Sequence, residues 1–466
     1  MTAESHTTST SSSASSAAAP GAGKILSIAL PLMVGLALEQ LIGMTDVLFL
    51  GRYGEAELAA AGVAGIYVML VMMLGLGYTI GAQSLMSRAN GAGRTDEVWT
   101  VFRQSTVFMF AAGILLMLAS WAAIGPVFGR FIENPDVQAA AVDYVFWRLA
   151  GLPFAYVGLL ARAYFVAVMR TRVITVASVV MVAANCGLNW LLIFGVGPFP
   201  ELGIAGAAIA SAISELAALV VYWLEFVRRD WWEKHCACGL SHWRIDWTVQ
   251  GRVFMLGRWL MLQEAMAFGV WLYFFIAVEN AGGERALALS NIVRQLGAML
   301  FLFVHAFGSA AGTVAANLAG ASAPEGIPRA VMNALKLCAL VLLPIFGLFA
   351  AAPDLVLGIL TDLPDVIHDA RPSFYVMSVS YLLTTPAFLY FFVIEALGFA
   401  KECFRMTIAA VVLYGAYIAL LNAFEPSTAV YWTADTVYGF TLWAGVGLVW
   451  RKAKRTGFKS GAADAL

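Results

Sequence analysis

The feature that most limits how this chain can fold is the repeated return of apolar runs about 20 residues long. A run of roughly that length is what an α-helix needs to cross the hydrocarbon core of a bilayer. Backbone groups find no water there, so each run is expected to be helical. We predict twelve spans, numbered in chain order, at residues 25–50, 57–81, 98–124, 139–165, 173–196, 203–227, 253–279, 286–311, 330–352, 373–398, 404–424 and 430–450.

The composition agrees with a polytopic membrane protein, because 61% of the 466 residues are hydrophobic and only 12% are charged. Soluble domains carry about 25% charged residues. The formal net charge of −1 gives no indication of a nucleic-acid partner. Residues 1–23 are rich in Ser, Thr and Ala and lack the basic start and apolar centre of a signal peptide, so we expect a disordered tail.

The basic residues indicate the orientation of the spans, because Lys and Arg collect in cytoplasmic segments. With the N-terminus inside, the outer segments hold only Arg52, Arg130, Arg285 and Arg371. The inner segments hold the larger set: Lys24, Arg88, Arg94, Arg170, Arg172, Arg228, Arg229, Lys234, Arg244, Arg329, Lys401, Arg405, Arg451, Lys452, Lys454, Arg455 and Lys459. We therefore predict a bacterial-type inner-membrane protein with both termini in the cytoplasm.

The chain contains an internal repeat. Gly91 in "SRANGAGRTDEV" and Gly320 in "ANLAGASAPEG" are 229 residues apart, and so are the prolines of "NPDV" and "LPDV", which precede spans 4 and 10. Six spans per repeat keep both repeats in one orientation, which predicts two parallel six-helix lobes related by an axis along the membrane normal. The predicted N-lobe is 24–227 and the C-lobe 253–450, with cytoplasmic segments at 228–252 and 451–466.

Two carboxylates, Glu39 and Asp46, interrupt the apolar run of span 1. An ionisable residue inside a span is by default a functional-site hypothesis, because burying its charge is costly. Seven residues apart, the two share a face of the helix, with Glu39 near mid-membrane and Asp46 in the outer third. A structural alternative for Asp46 is that it reaches the headgroups, whereas Glu39 is too deep for that. Pro31 and three glycines mark span 1 as able to bend.

Span 5 places Asn185 and Asn189 one turn apart on one face, in "NCGLNW". Buried amides need partners, and a carboxylate or a bound cation would suit both. The alternative is that these amides only hold helices together. The same alternative applies to Ser211 in span 6, where many small residues allow close helix packing.

The second half of the chain carries Glu264 in the middle of span 7 and Glu395 at the inner end of span 10. Glu264 either stays protonated in apolar surroundings or forms a structural ion pair with Arg294 of span 8. For Glu395, a role in transport and a solvated salt bridge with Lys401 are both open.

The sequence shows no pattern typical of catalysis, since we find no P-loop, HExxH or GxSxG motif. We therefore expect neither an enzyme nor a cofactor, and we expect an ion gradient to drive any uphill transport. His235, Cys236, Cys238 and His242 in the central loop lack the spacing of a zinc site, so no metal is expected. The five cysteines do not form a disulfide framework.

Taken together, these motifs resemble the MATE (multidrug and toxic compound extrusion) family of cation-coupled efflux transporters. The resemblance rests on "ALPLMVGLALEQLIGMTDVLFLGR" in span 1, "SRANGAGR" after span 2, "NCGLNWLLIFG" and "PELGIAGAAIASAIS" in spans 5 and 6, and "LMLQEAMAF" in span 7. It implies that Asp46 is the ion-coupling carboxylate of the N-lobe and that Glu264 is the acid of the C-lobe. Asn185, Asn189 and Ser211 fall where neighbouring ligands of the N-lobe site lie.

Two departures from the family pattern matter. The acid that the family carries in span 10 would align near Ala387, so that ligand is missing, and Glu395 lies about two turns away. At Glu39 a glutamine is commoner, so the N-lobe gains a carboxylate. Together the departures weaken a sodium site in the C-lobe and suggest that ion coupling is concentrated in the N-lobe.

The resemblance implies a monomeric antiporter, coupled to H⁺ or Na⁺, that exports amphipathic and often cationic organic molecules by alternating access among membrane lipids. The alternatives are a lipid-linked oligosaccharide flippase and a dedicated exporter of one endogenous metabolite. A flippase cavity should be rimmed with several cations that bind a diphosphate, and the spans here offer mainly Arg148 and Arg294.

Overall fold

The computed structural model describes residues 21–132, 134–228, 245–361, 363–424 and 427–458. Within these ranges the chain is almost entirely α-helical and contains no β-strand. Twelve helical spans follow the predicted order. Their observed bounds are Ala22–Tyr53, Glu55–Gly91, Thr95–Phe131, Pro135–Ala150 with Leu152–Ala167, Arg172–Ile193, Gly203–Val227, Trp247–Gly283, Arg285–Gly320, Ile327–Ala351, Pro364–Ala396, Ala400–Asn422 and Thr433–Arg455.

Span 12 is the least apolar of the twelve helices. Ten of the others, and the broken pair that forms span 4, are long and apolar enough to cross a membrane. Span 12 is more polar because its first turn holds Asp435 and its last turn holds Lys452, Lys454 and Arg455. Its 23 residues still extend about 35 Å at 1.5 Å per residue, which exceeds the roughly 30 Å hydrocarbon core. The predicted all-α membrane architecture is confirmed.

Several helices extend beyond the predicted bounds. Span 1 begins at Ala22, inside the predicted tail, span 7 begins at Trp247, inside the predicted loop, and span 12 continues to Arg455. A helix keeps its backbone hydrogen-bonded past the hydrocarbon edge, where polar side chains are tolerated, so hydropathy underestimates its length. The cysteines and histidines of "HCACGLSH" lie outside the described residues, and the bounds of the two lobes stay predictions.

Span 4 is broken in the middle. Its two helices meet at Gly151 with a bend of 51°, because Pro153 opens the second helix and cannot supply a backbone N–H to the first. The bend fits the packing of its neighbours. A Cβ atom at Gly113 of span 3 would touch the backbone of Pro153, and one at Gly151 would touch Ala212 of span 6.

Span 1, in contrast, runs unbroken through Pro31. A proline inside a helix frees the carbonyl group four residues earlier, which is that of Ser27. Thr171 at the start of span 5 donates its hydroxyl to this carbonyl at 3.3 Å, and Thr175 donates to the carbonyl of Pro31 at 3.0 Å. Thr171 therefore supplies the one hydrogen bond that Pro31 removes, and Thr175 adds a second bond between spans 5 and 1.

The repeat seen in the sequence also appears in the backbone. Gly93 after span 2 and Ser322 after span 8 both have left-handed φ values, 73° and 57°, and lie 229 residues apart. The same offset relates Met169 after span 4, at 57°, to Gly398 after span 10, at 83°. A left-handed residue is a common way to end a helix. Because both left-handed turns recur at the same offset, the backbone confirms that the chain contains two copies of one lobe.

The two lobes touch through their backbones near the face where span 1 begins and span 12 ends, called the terminal face below. Gly91 at the end of span 2 faces the carbonyl oxygen of Asn317 in span 8, and Gly320 faces that of Arg88. Neither glycine has room for a Cβ atom. Since the repeat relates Gly91 to Gly320 and Arg88 to Asn317, the two contacts are symmetric copies of one another.

Hydrogen bonds between the lobes lie at the same end. The Tyr78 hydroxyl of span 2 donates to Oε1 of Gln250 in span 7 at 2.5 Å. Ser84, also in span 2, donates to the carbonyl oxygen of Ala396 in span 10 at 2.7 Å. Gln250 in turn donates to the carbonyl oxygen of Gln104 in span 3 at 2.8 Å. The lobes are thus closed against each other at the terminal face.

The close approach of spans 2 and 7 continues into the bundle, where a Cβ atom at Gly77 would meet the backbone of Met261. Farther from the terminal face, a Cβ atom at Gly62 or Gly65 of span 2, or at Gly269 of span 7, would meet no atom within 4 Å.

Candidate functional site

Asp46 lies at the centre of a hydrogen-bonded cage. Its Oδ1 accepts from Nδ2 of Asn189 at 2.6 Å and from Nδ2 of Asn185 at 3.3 Å, and its Oδ2 accepts from the Ser211 hydroxyl at 3.0 Å. All three donors are neutral, and among the described residues no Lys or Arg forms an ion pair with Asp46. The carboxylate is half-buried and points into the lobe, so the headgroup alternative is wrong.

Spans 5 and 6 build the cage by packing closely. A Cβ atom at Gly206 would meet the carbonyl oxygen of Leu192, which explains the small residue there. Asn185 and Asn189 follow one another by one helical turn and are fully buried. Thr45, beside the acid in span 1, donates to Oδ1 of Asn185 at 3.1 Å. Four residues that the resemblance placed in one site are therefore in contact: Asp46, Asn185, Asn189 and Ser211. Their role in ion coupling stays a prediction.

One atom of the cage lacks a partner. The Oδ1 of Asn189 is buried and accepts no hydrogen bond from the described residues. A buried polar atom left unpaired is costly. An oxygen acceptor beside a carboxylate is suited to a proton donor or to a hard cation such as Na⁺.

Glu39 does not belong to this cage. Both of its oxygens accept from Nη1 of Arg162 in span 4, at 2.6 and 2.7 Å. A second pair lies near it, in which Arg148 of span 4 donates from Nη1 at 3.1 Å and also from Nη2 to the two oxygens of Glu215 in span 6. The N-lobe interior thus holds two ion pairs in addition to Asp46.

These pairs line a cavity of about 260 Å³ inside the N-lobe. Its wall combines the four charged side chains with the apolar side chains of Ile42, Met72, Leu159 and Met181. The cavity also reaches Ser211, whose hydroxyl binds Asp46. The hydrogen-bonded cage around Asp46 and the cavity are therefore adjacent and share the side chain of Ser211.

For each of the two C-lobe acids, the structure contradicts one of the two predicted alternatives. No ion pair joins Glu264 to Arg294 among the described residues, and the Arg294 guanidinium lies over the Phe275 ring at 5.6 Å. The structural alternative for Glu264 is wrong, because the cation it requires packs against an aromatic face instead.

Glu395 is buried, with 6% of its surface exposed. Its side chain lies beside Gln263 and near Glu264, and no salt bridge with Lys401 occurs in the described part of the chain. The solvated salt bridge is therefore wrong, because Glu395 faces span 7 rather than the headgroups. Ala387, where the family acid would align, is buried at 1%.

Sequence reasoning missed Arg162 and Glu215. The signal was available, since both are ionisable residues inside predicted spans and Glu215 follows Ser211 by one helical turn. Asp435 was missed as well. It accepts a hydrogen bond from the Tyr414 hydroxyl at 3.4 Å, inside the C-lobe. Outside the spans, Asp246 caps the N-terminus of span 7. Its carboxylate accepts a hydrogen bond from the backbone N–H of Thr248, and this bond lowers the pKa of Asp246.

The MatE family model matches residues 31–191 and 261–421, which together cover more than half of the chain. Each matched segment falls within one predicted lobe.

The chain belongs to the MatE (MATE) family.

Three curated relatives of this MATE chain are bacterial proteins. A probable multidrug resistance protein NorM of Neisseria meningitidis serogroup A is 25% identical over 62% of each chain. A NorM of Rhizobium meliloti is 29% identical over 65% of each chain. A protein named FAD transporter from Shewanella oneidensis is 23% identical, over 68% of this chain and 70% of its own. The match spans slightly less than two thirds of the NorM lengths.

Solved structures agree in fold. A MOP superfamily transporter from Pyrococcus furiosus, described as having a binding pocket of reverse polarity, has a TM-score of 0.85 at 18% identity, covering 95% of this chain and 98% of its own. A multidrug resistance MATE transporter in an outward-facing conformation gives a TM-score of 0.83 at 17% identity, covering 94% and 97%. The two-lobe, twelve-helix fold of this MATE chain is therefore the fold of these transporters.

Proposed function

We propose that this MATE-family chain is a cation-coupled antiporter that exports small amphipathic organic molecules from the cytoplasm. The observation that supports it best is the Asp46 carboxylate, which three neutral donors hold inside the N-lobe without a cationic side chain in contact. A charged group held in this way in a membrane is stabilised further by any positive partner that it can acquire.

Exchange follows if occupation of Asp46 by the coupling ion and occupation of the adjoining cavity by substrate exclude each other. A proton or Na⁺ occupies the carboxylate in one state, with the unpaired Oδ1 of Asn189 available as a further oxygen. A substrate in the adjoining cavity takes its place in the other state. Because each partner binds the two states with different affinity, each biases the equilibrium between them. The gradient of the coupling ion then drives the substrate outward.

The closed terminal face supports alternating access. With the terminal face predicted to be cytoplasmic, the contact of Gly91 with Asn317 and the Tyr78–Gln250 bond shut the cytoplasmic side. Release to the outside is the step that fits this state. The opposite state requires these contacts to separate. Span 1 is able to bend at Pro31 once the hydrogen bonds from Thr171 and Thr175 to its carbonyl oxygens break.

The names of the relatives support export of small molecules, since two are called probable multidrug resistance proteins. The relative named FAD transporter favours a second candidate, a dedicated exporter of one endogenous metabolite. A flippase has less support, because Arg148 and Arg162, the two cations that line the cavity, are each balanced by a glutamate, which leaves no excess positive charge for a diphosphate. We propose an inner-membrane monomer.

The test is efflux from cells and vesicles. Wild type and Asp46→Asn are expressed in a bacterial host that lacks its own efflux pumps, and susceptibility to a panel of drugs and dyes is measured. Inverted vesicles then receive a pH gradient or a Na⁺ gradient, one at a time. We expect wild type to lower susceptibility and to move dye with one of the gradients. No change for any compound, together with equal behaviour of the variant, would exclude multidrug export.

A further inference from the structure

Arg162 has donor groups that the protein does not use. Its Nη1 donates to both oxygens of Glu39, while its Nε and Nη2 donate to no group among the described residues. Neither of these two nitrogens is a fully buried atom without a partner, so both retain accessible surface. Because the Arg162 side chain lines the N-lobe cavity, that surface faces the cavity.

Arg148 in the same cavity provides the contrast. Its Nη1 and Nη2 each donate to a different oxygen of Glu215, which is the bidentate geometry of an arginine–carboxylate pair. Arg162 holds Glu39 through a single nitrogen and leaves the edge formed by Nε and Nη2 unoccupied. That edge presents two parallel N–H groups, the arrangement that binds two oxygens of a carboxylate or a phosphate.

We propose that the N-lobe cavity accepts amphipathic molecules that carry a carboxylate or phosphate group, bound by the Nε and Nη2 edge of Arg162. This inference rests on the proposed export function and narrows its substrates from small amphipathic organic molecules in general to those that carry an acidic group.

The charges of the cavity suit a zwitterion best. Arg148 and Glu215 neutralise each other, so the ligand meets Arg162 and Glu39. An acidic group on Arg162 lies close to the Glu39 carboxylate, and a cationic group on the same ligand removes the resulting repulsion. Glu39 is open to such a group, since 33% of its side chain is exposed against 19% for Arg162. Met72 and Met181 offer an adaptable apolar wall for the scaffold of the ligand.

The test uses two pairs of ligands that differ in one group. The first pair is a rhodamine with a free carboxylate and its methyl ester, and the second is riboflavin 5′-phosphate and riboflavin. Binding to the full-length chain in lipid nanodiscs is measured by fluorescence anisotropy for wild type, Arg162→Gln, Arg162→Lys and Glu39→Gln. Arg258→Gln is the control, because this exposed arginine lies over Trp259 in span 7, away from the cavity.

We expect wild type to bind at least one acidic ligand more tightly than its uncharged or esterified partner. Arg162→Gln should weaken the acidic ligand about tenfold, the scale of a charged hydrogen bond, and leave its partner within about twofold. Arg162→Lys keeps the charge that Glu39 needs but lacks the planar edge, so it should fold and still lose the preference. Glu39→Gln should strengthen binding of the acid. The pair that responds identifies a carboxylate or a phosphate as the preferred group.

Three outcomes would overturn the inference. Equal weakening of both members of a pair by Arg162→Gln and Arg162→Lys would make Arg162 structural. A preference for the ester over the acid in wild type would leave the export proposal intact and remove this narrowing of its substrates. Failure of wild type to bind any of the four ligands, in a preparation that also fails to move dye in vesicles, would remove the export proposal itself.

Discussion

The carbonyl oxygen of Asn317 in span 8 occupies the place where Gly91 of span 2 would carry a Cβ atom. Two lobes that approach this closely exclude any larger side chain. We therefore expect Gly91→Ala to disfavour closure of the terminal face and to reduce transport by about fivefold or more, in the range of typical conformational couplings. The measurement is transport of dye in vesicles together with accessibility of a cysteine introduced beside the contact.

Gly62→Ala is the matched control for this substitution. Gly62 lies in the same helix, and a Cβ atom there meets nothing within 4 Å. Transport equal to wild type in both variants would show that the contact does not limit the closed state.

The Tyr78–Gln250 hydrogen bond gives a second, milder way to weaken the same closure. Tyr78→Phe removes a hydroxyl that bridges the lobes at 2.5 Å and leaves Gln250 with an unpaired acceptor, at a cost of about 1–3 kcal/mol. The closed state should become less populated, which distance measurements between spin labels on spans 2 and 7 detect. Tyr156→Phe is the control, since its hydroxyl donates at 2.6 Å to Val71 within the N-lobe. An equal shift in both variants would contradict the prediction.

The spans could be predicted from the sequence because each needs about 20 apolar residues and little else. The repeat could also be predicted from the sequence, because the offset of 229 residues between Gly91 and Gly320 is the same as that between the prolines before spans 4 and 10. Helix ends were predicted less well. Trp247 and Arg455 lie in polar segments that remain helical outside the hydrocarbon, and hydropathy does not detect a helix there.

The partners of charged side chains were the part that the sequence could not supply. Asp46, Asn185 and Asn189 were placed together by resemblance, whereas Glu39 was not assigned to Arg162. Pairing across helices depends on how each helix is rotated about its axis, and one sequence carries little information on that rotation. Glu395 shows the same limit, because its position along span 10 did not reveal that the side chain turns inward toward Gln263.

A straight span 1 depends on hydroxyl groups of span 5. Thr171→Val leaves the carbonyl group of the exposed residue Ser27 without its donor, a loss of about 1 kcal/mol, as for a typical hydrogen bond. We expect the variant to favour a bent span 1, seen as a changed distance between spin labels on spans 1 and 5. Thr106→Val is the control, because among the described residues that hydroxyl donates within its own helix, to the carbonyl oxygen of Phe102 at 2.8 Å. An unchanged distance in Thr171→Val would show that span 1 is held straight by packing alone.

Replacement of Asp46 tests whether the cage around it is needed for ion coupling or only for folding. In Asp46→Asn the amide oxygen can still accept from Asn189, and the amide NH₂ group can donate to the Ser211 hydroxyl. The side chain no longer attracts a cation, so the bundle should form while gradient-driven efflux falls at least about tenfold, within the usual range for a lost coupling. Ser211→Ala removes one donor at 3.0 Å and should have a smaller effect, about 1 kcal/mol, that Ser211→Thr restores. Asp354→Asn is the control, because that exposed acid binds Arg371 far from the cage. Full efflux in Asp46→Asn, at equal protein levels, would mean that the cage only joins three helices and that the coupling ion binds elsewhere.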